Sequence, residues 1–478
     1  MRKTGGSDLP RSPRRQCAPV AVLSVLLLAT LLATGCRTYR DQSASMRDAW
    51  VRGDFTRAAE QFEKRADKKD DGRDGVIWHL EAGASLRTLG KYAESNAEFD
   101  QAAAQIEEYE RKARVRVSNE VGSTFSNQQN RPYEGRSYDK IMLHTYKALN
   151  YLALGQVEQA RPELIRAYQR QQDAVAENAR RIEKARDAEA SSPDQVQIER
   201  ARRDPQLQAR LDALNRPLEG FQFYADYVNP FTVYLDGLYF RHAAGGGADL
   251  ERARKSLARV IETAGGNPAV TQDLREAEQG AAPERVTYVI LENGRAASLN
   301  QERIDIPIIV ADVSYVGAAF PKLEFHPDHL ANLRVEAGGN TYTTVPLASM
   351  DAIVALDFKN EWPAILTRTL ISAVAKGAAA YAVNTTARQA NDLGGLLARI
   401  GTAIAQAAVN IADTRSWSTL PKEWQVVRLP TPADRVLTLR TPDGRAQRVN
   451  LVDGRVNVVY VRAVTSSGPL VIGQFRFR

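Results

Sequence analysis

The stretch "ASLRTLGKYAESNAEFDQAA" (84–103) decides how the first half of the chain folds. An apolar run ends on Gly90, and Tyr92 follows two residues later. Small Ser95, large Phe99 and small Ala102 then recur at intervals of three and four, which is one face of a helix. The order predicts two helices back to back. Gly90 ends the first in a left-handed conformation that other residues resist. Ser95 lets the second helix approach closely, and Phe99 fills the space between. The same order stands in "AWVRGDFTRAAEQFEKRA" (49–66), with Gly53, Phe55, Ala58 and Phe62. It stands again in "NYLALGQVEQARPELIRAY" (150–168), with Gly155, Val157, Ala160, Leu164 and Ala167.

Self-similarity of this kind is the mark of a repeat architecture. The copies resemble the tetratricopeptide repeat, whose pattern also places a Gly in its first helix, met here by Gly83. A fourth, stretched copy lies in "DGLYFRHAAGGGADLERARKSLARV" (236–260), with Gly237, Phe240, Ala253, Leu257 and Val260 in place once "GGG" is read as an inserted turn. Gly53 to Gly90 is 37 residues, near the repeat's period of about 34, but Gly90 to Gly155 is 65. The array is therefore divergent.

Residues 171–220, between the third and fourth copies, hold no aromatic side chain and intersperse Arg and Lys with Asp and Glu. They predict a charged helical insertion around 171–215, protruding as a hairpin with breaks at Pro193 and Pro205, or else disorder over 187–206. The signs nearly balance, which argues against a basic nucleic-acid arm. Then "FQFYADYVNPFTVYLDGLYF" (221–240) places eight aromatics in twenty residues. Most are expected between helical layers; Tyr224, Tyr227 and Tyr234 are candidate partner-binding residues on a concave groove.

From about residue 284 the period changes from helical to alternating. "RVTYVILENG" (285–294), "RIDIPIIV" (303–310) and "TYTTVPLAS" (341–349) read as strands. Two Ala-rich helices follow, over 362–384 and 392–414. In the tail, "RVLTLR", "RAQRVNLV", "RVNVVYVRAV" and "PLVIGQFRF" are separated by "TPDG", "DG" and "TSSG". Asp443-Gly444 and Asp453-Gly454 are hairpin signals, since Gly accepts a positive φ. The expectation is a four-stranded meander in one sandwich-like sheet system, with the helical pair packed on it.

The N-terminus carries Arg2, Lys3, Arg11, Arg14 and Arg15 against one acid, Asp8, followed by the uncharged run 18–33 and small residues up to Gly35. This is the pattern of a secretory signal peptide, and 16 apolar residues fall short of the ~20 that span a bilayer. "LLATGC" (31–36) resembles the lipobox of bacterial lipoproteins, which implies that residues 1–35 are removed and that the Cys36 thiol is acylated. Several acyl chains on one residue give stable anchorage. By the same resemblance, the lack of Asp after the cysteine favours the outer membrane, facing the periplasm. Cys17 would leave with the signal, so no internal disulfide remains, and the net charge falls from +7 to about +3.

No G-x-S-x-G, G-x-x-x-x-G-K-[ST] or H-E-x-x-H occurs. His326 and His329 in "HPDH" lack the cysteine or helical spacing of a zinc site, so neither a metal nor another cofactor is expected. Asp413, Arg415 and Trp417 cluster at a helix-to-strand junction, where they would lock a corner or bind a ligand; Arg415 and Trp417 join the candidate partner-binding residues.

The succession "PYEG", "ALNYLALGQVEQAR", "NPFTVYLDGLYF", "VILENG", "AILTRTL", "ADTRSWSTLP" resembles a family of bacterial envelope lipoproteins with tetratricopeptide-like repeats, over roughly 40–478. It implies an α+β multidomain chain: a helical hairpin array over 36–280, then a mixed β-sandwich-like domain over 284–478 with helices around 362–414. It implies a non-enzymatic cell-envelope protein and supplies no mechanism. Helical repeats offer extended concave surfaces, so the expectation is a scaffold held to the membrane by its N-terminal lipid and binding an envelope protein; analogy with outer-membrane lipoproteins of similar repeats points to cell-wall synthesis, and export or assembly of a polymer fits equally. The competing expectation is a glycan-acting enzyme that uses Asp357 or Asp413 in the C-terminal half.

Overall fold

The computed structural model describes residues 38–68, 72–115, 131–224, 227–243, 245–281, 285–310, 313–389 and 411–477. The expected signal over 1–35, Cys36 and the second Ala-rich stretch up to residue 410 lie outside the described residues. The protein is mixed α+β, with helices up to residue 278 and, beyond it, β-sheets with one long helix between their strands.

Helices α1 (Tyr39–Val51) and α2 (Phe55–Ala66), α3 (Gly75–Thr88) and α4 (Tyr92–Val115), and α5 (Ser137–Ala153) and α6 (Val157–Ala190) form three consecutive hairpins. Gly53, Gly90 and Gly155 join them at φ of 80°, 76° and 72°. The next amide in each case closes back on the first helix: Asp54 N to Ala49 O, Lys91 N to Leu86 O and Gln156 N to Tyr151 O, at 2.8–3.0 Å. The second and third hairpins align without a gap at a shift of 65, with His79 and His144, Gly90 and Gly155, small Ser95 and Ala160, and large Phe99 and Leu164 in equivalent places. Each histidine reaches a glutamate 19 positions on, His79 Nδ1 to Glu98 at 2.7 Å and His144 Nδ1 to Glu163 at 2.6 Å.

The charged insertion does not protrude. Helices α7 (Gln195–Arg202) and α8 (Pro205–Asn215) follow the 34-residue α6 and bury Ile198, Leu207, Leu211 and Leu214. These four are few among the charges but fall on the inner faces, which the count of charged residues concealed. Pro205 starts α8 under an Asp204 cap and so begins a helix instead of breaking one. Helices α9 (Pro230–His242), α10 (Gly247–Ala264) and α11 (Pro268–Glu278) complete the array; every residue of α9 is buried.

The strands fall into three sheets. β1 (Val286–Asn293) is central to a five-stranded sheet ordered β11-β10-β1-β7-β6, with β6 (Val345–Ser349), β7 (Glu423–Pro430), β10 (Val456–Ala463) and β11 (Leu470–Arg476). β2 (Ser298–Val310) and β3 (Val313–Glu324) make a long two-stranded ribbon. β4 (Arg334–Ala337), β5 (Asn340–Thr343), β8 (Val436–Arg440) and β9 (Ala446–Asn450) make the third sheet. The tail is thus not a single meander. Asp443-Gly444 does turn a hairpin, with Gly444 at φ 90°, but at Asp453-Gly454 the chain crosses from one sheet to another, and β10 lands parallel to β1.

β1 is buried on both faces. Tyr288 and Ile290 face the helical array, while Val289 and Leu291 face Leu437, Leu439 and Val335 of the four-stranded sheet. The result is three layers: helices, five strands, four strands. The hydrophobic core that holds Trp78, Phe99 and Leu164 also holds Tyr288, Trp424 and Val458, so it is continuous from the N-terminal helices into the sheet. A second core joins α7 and α8 to the ribbon and to α12 (Met350–Gln389) through Ile306, Phe320, Leu370 and Val374. Helix α12 begins twelve residues before the first expected Ala-rich helix. Ser349 Oγ caps it by accepting from Ala352 N, and Pro363, which as a residue type favours a helix start, lies in its interior.

The close approach of the hairpin helices depends on missing side chains. A Cβ on Gly83 would stand 2.6 Å from the Phe99 ring, and one on Gly237 would stand 2.9 Å from Leu257. Gly83→Val is expected to cost about 3 kcal/mol by overpacking this seam, measured as a shift of the urea midpoint at unchanged slope. A midpoint equal to the parent's would contradict this packing.

Candidate functional site: a buried seam and an arginine-lined cleft

The expected corner at 412–421 is a seam between the two halves. After residue 410 the chain runs without regular secondary structure, turning at 418–420, into β7, and it carries "RSWST" against the helical hairpins. The Arg415 guanidinium, 1% exposed, donates to Asp413 Oδ1 and Oδ2, to Asp74 Oδ1 at 2.8 Å, and to the carbonyl of Arg131 at 2.8 Å. Asp74 precedes α3, so one guanidinium ties three separate segments together. The two carboxylates outweigh the effect of burial and push the Arg415 pKa above the usual guanidinium value. Trp417 lies beside it with its ring edge-on to Phe99 and Tyr146, centroids 5.8 and 5.7 Å apart, and its Nε1 donates to Thr419 Oγ1.

Glu81 completes the seam and was not singled out in the sequence. It sits on α3 with no exposure and accepts five hydrogen bonds: from Tyr39 Oη, from the amide and hydroxyl of Ser418, and from the amide and hydroxyl of Thr419. Burial raises its pKa, and the hydrogen bonds from Ser418, Thr419 and Tyr39 work against that rise. The available signal was a lone acid inside the apolar run "VIWHLEAGASL" (76–86). Arg415 and Trp417 are therefore brought together as a lock, with their polar groups already satisfied within the chain.

The three tyrosines do not line an open groove. Tyr234 is fully buried and donates to Asp273 Oδ2 at 3.0 Å; Tyr227 is buried at a positive φ of 57°. Tyr224 is half-buried, and its oxygen accepts from the Ser349 amide at 2.8 Å. The array face they stand on is covered by the chain's own sheet, with Phe231 stacked on Trp424 at 4.6 Å and 3°. Eight aromatics in one short stretch are what a shared helix–sheet core needs.

For acid–base chemistry, Asp357 and Glu361 stand one turn apart on α12, with Arg136 Nη1 2.7 Å from Glu361 and 3.8 Å from Asp357. Arg181 is 3.9 Å from Glu361. Burial, then the neighbouring Glu361 charge, pushes the Asp357 carboxyl up to about 7. Asp413, held low by Arg415 against the effect of burial, belongs to the lock. The side chains of "HPDH" turn to separate partners: His329 Nδ1 donates to Pro327 O, Asp328 accepts from Ser466, and His326 Nε2 meets Ser298 Oγ. Among the described residues no group of three His, Cys, Asp or Glu is placed to hold a metal ion. No described helix is long and apolar enough to cross a membrane.

One cleft of about 300 Å³ does open to solvent, between α1 and the base of the β2–β3 ribbon. Arg40, Arg47 and Trp50 line it from α1, and Arg295, Ser298, Glu324 and His326 from the other side.

Two outcomes follow from the seam and the α12 carboxylates. Arg415→Met would take away the cation that Asp74 and Asp413 share, leaving buried Asp74 with only Arg73, and should cost about 3 kcal/mol by denaturant titration, with Arg415→Lys recovering only part because the planar fork is lost. A carboxyl whose folded pKa is raised lends stability below the ordinary carboxylate range and loses it as pH climbs towards the folded value, here about 7. Asp357→Asn should therefore flatten the fall in melting temperature between about pH 4 and about pH 8; an unchanged slope would contradict the assignment. Comparison with protein-family models, curated proteins and solved structures returns no match.

Proposed function

We propose that the chain is an envelope lipoprotein, tethered through an acylated Cys36 and acting as a non-catalytic binding scaffold on the periplasmic side of the outer membrane. The observation that carries this reading is the combination of the "LLATGC" tether with hairpins built to one plan. Left-handed glycines at Gly53, Gly90 and Gly155 and the paired histidine–glutamate bonds at a shift of 65 support a tetratricopeptide-like origin for the array. Repeats of that kind are suited to holding other proteins. The partner would be an envelope protein of cell-wall synthesis or polymer export.

Because the inner face of the array packs on the chain's own sheet, the partner would meet its outer helices. Tyr168 and Val175 on α6 and Leu250 on α10 are among the exposed large apolar side chains of the helical half, and Arg161 joins the two helices by a fork on Asp249. Incorporation of a photo-crosslinking residue at Tyr168 or Val175 in intact cells should capture one discrete envelope protein; capture of nothing from these positions would remove the scaffold reading. Metabolic labelling with a fatty acid tests the tether separately: label is expected on the parent and absent from Cys36→Ser.

A further inference from the structure

The cleft beside α1 is built unlike the rest of the interior, where cations meet carboxylates. Arg40, Ala44, Arg47, Asp48 and Val51 lie at spacings of four, three, one and three, so they share one face of α1. Across from them stand Arg295, at the turn after β1, and Ser298, Glu324 and His326 at the ribbon's base. Arg40 is committed: it donates to Glu324 at 2.8 Å and to Leu299 O at 3.0 Å. Ser418, also in the lining, has its amide and hydroxyl on Glu81. Arg47 spends one Nη on the Arg40 carbonyl.

What remains is a surplus of donors. The Nε of Arg47, the Nε of Arg295 and the indole Nε1 of Trp50 are all buried and meet no acceptor among the described residues. The acceptors at hand are few: Glu324 is held by Arg40, Ser298 Oγ by His326, and Asp48 is exposed. The field is also positive. Burial and then the Arg295 charge hold His326 down at about 4, so it adds no charge at neutral pH. Arg295 itself is held below the usual guanidinium range by burial and by the charges of Arg462 and Arg47, against the pull of Asp328. Two guanidiniums and an indole that line one cleft from its two sides match a group with several oxygens. A planar carboxylate offers only two.

We propose that the cleft between α1 and the base of the β2–β3 ribbon binds the phosphate group of a ligand through Arg47, Arg295 and the Trp50 indole. Two sources carry that chemistry, a phospholipid headgroup and a soluble phosphate ester. Arg40 is four residues from Cys36, a reach of at most about 14 Å, so the headgroup source rests on the lipoprotein reading above, whereas the site itself does not.

The test is calorimetric titration of the solubilised full chain with inorganic phosphate and, separately, with dihexanoyl-phosphatidylglycerol below its micelle concentration. Saturable binding is expected, weakened about ten-fold or more in Arg295→Gln and in Arg47→Gln, and unchanged in Arg254→Gln on the surface of α10. Thermal melts of each variant check folding, since both cleft changes remove a half-buried guanidinium. Tighter binding of the phosphatidylglycerol assigns the site to headgroups; binding of phosphate as tight or tighter assigns it to a soluble ester. No saturable binding of either, or binding equal to the parent in both cleft variants, overturns the site. Absence of fatty-acid label at Cys36 would remove the headgroup source and leave the phosphate arm standing.

Discussion

The Glu81 carboxylate is the constraint around which the two halves are arranged. A charge with no exposure in the middle of a helix is tolerable only if its lone pairs are filled, and among the described residues no cation does this. The donors come instead from Tyr39 in the same array and from Ser418 and Thr419, more than 330 positions further along the chain. Until that segment arrives, α3 holds an unfilled acceptor, and the ring faces of Phe99 and Tyr146 that Trp417 covers stand open. Arg415 does the converse from the same segment, bringing a cation to Asp74 at the entry of α3. The five residues of "RSWST" therefore satisfy two buried carboxylates, one with a cation and one with neutral donors, and close an aromatic cluster. The helical half cannot reach its native interior without the strand half.

That dependence explains which parts of the structure were legible in the sequence. The hairpin signals are local. Gly90, Ser95 and Phe99 act within a dozen residues of one another, and the structure has them doing what their sizes and φ preferences dictate. The turn at Asp443-Gly444 is equally local. The failures are non-local. Nothing near Asp453-Gly454 says whether the next strand returns to its predecessor or moves to β1; that choice depends on which edge is free after the chain has collapsed. In the charged insertion, Ile198, Leu207, Leu211 and Leu214 are too sparse to announce a core, and they make one only because the ribbon and α12 supply the other side.

The candidate site divides in the same way. Arg415 and Trp417 were visible as an unusual cluster, and the structure gives them the locking role that such a corner suggests. The arginine-lined cleft was not visible, although Arg40 and Arg47 share a helix face, because Arg295 and His326 reach it from more than 240 residues away. Tyr234 shows the opposite case. Its type invited a binding role, and its surroundings give it a buried bond to Asp273 that ties α9 to α11.

The parallel seating of β10 beside β1 has a bearing on how such a chain is made. β1 is complete by residue 293, yet the neighbour that fills one of its edges is not present until residue 463. For the length of chain in between, a strand that ends up buried at every residue offers a bare row of amides and carbonyls, which is the template on which neighbouring chains pair. A polypeptide threaded across a membrane from its N-terminus would hold that edge open throughout its passage. It would depend on holdase chaperones for that interval, and any product cut short before β10 would be marked for degradation by the same exposed edge.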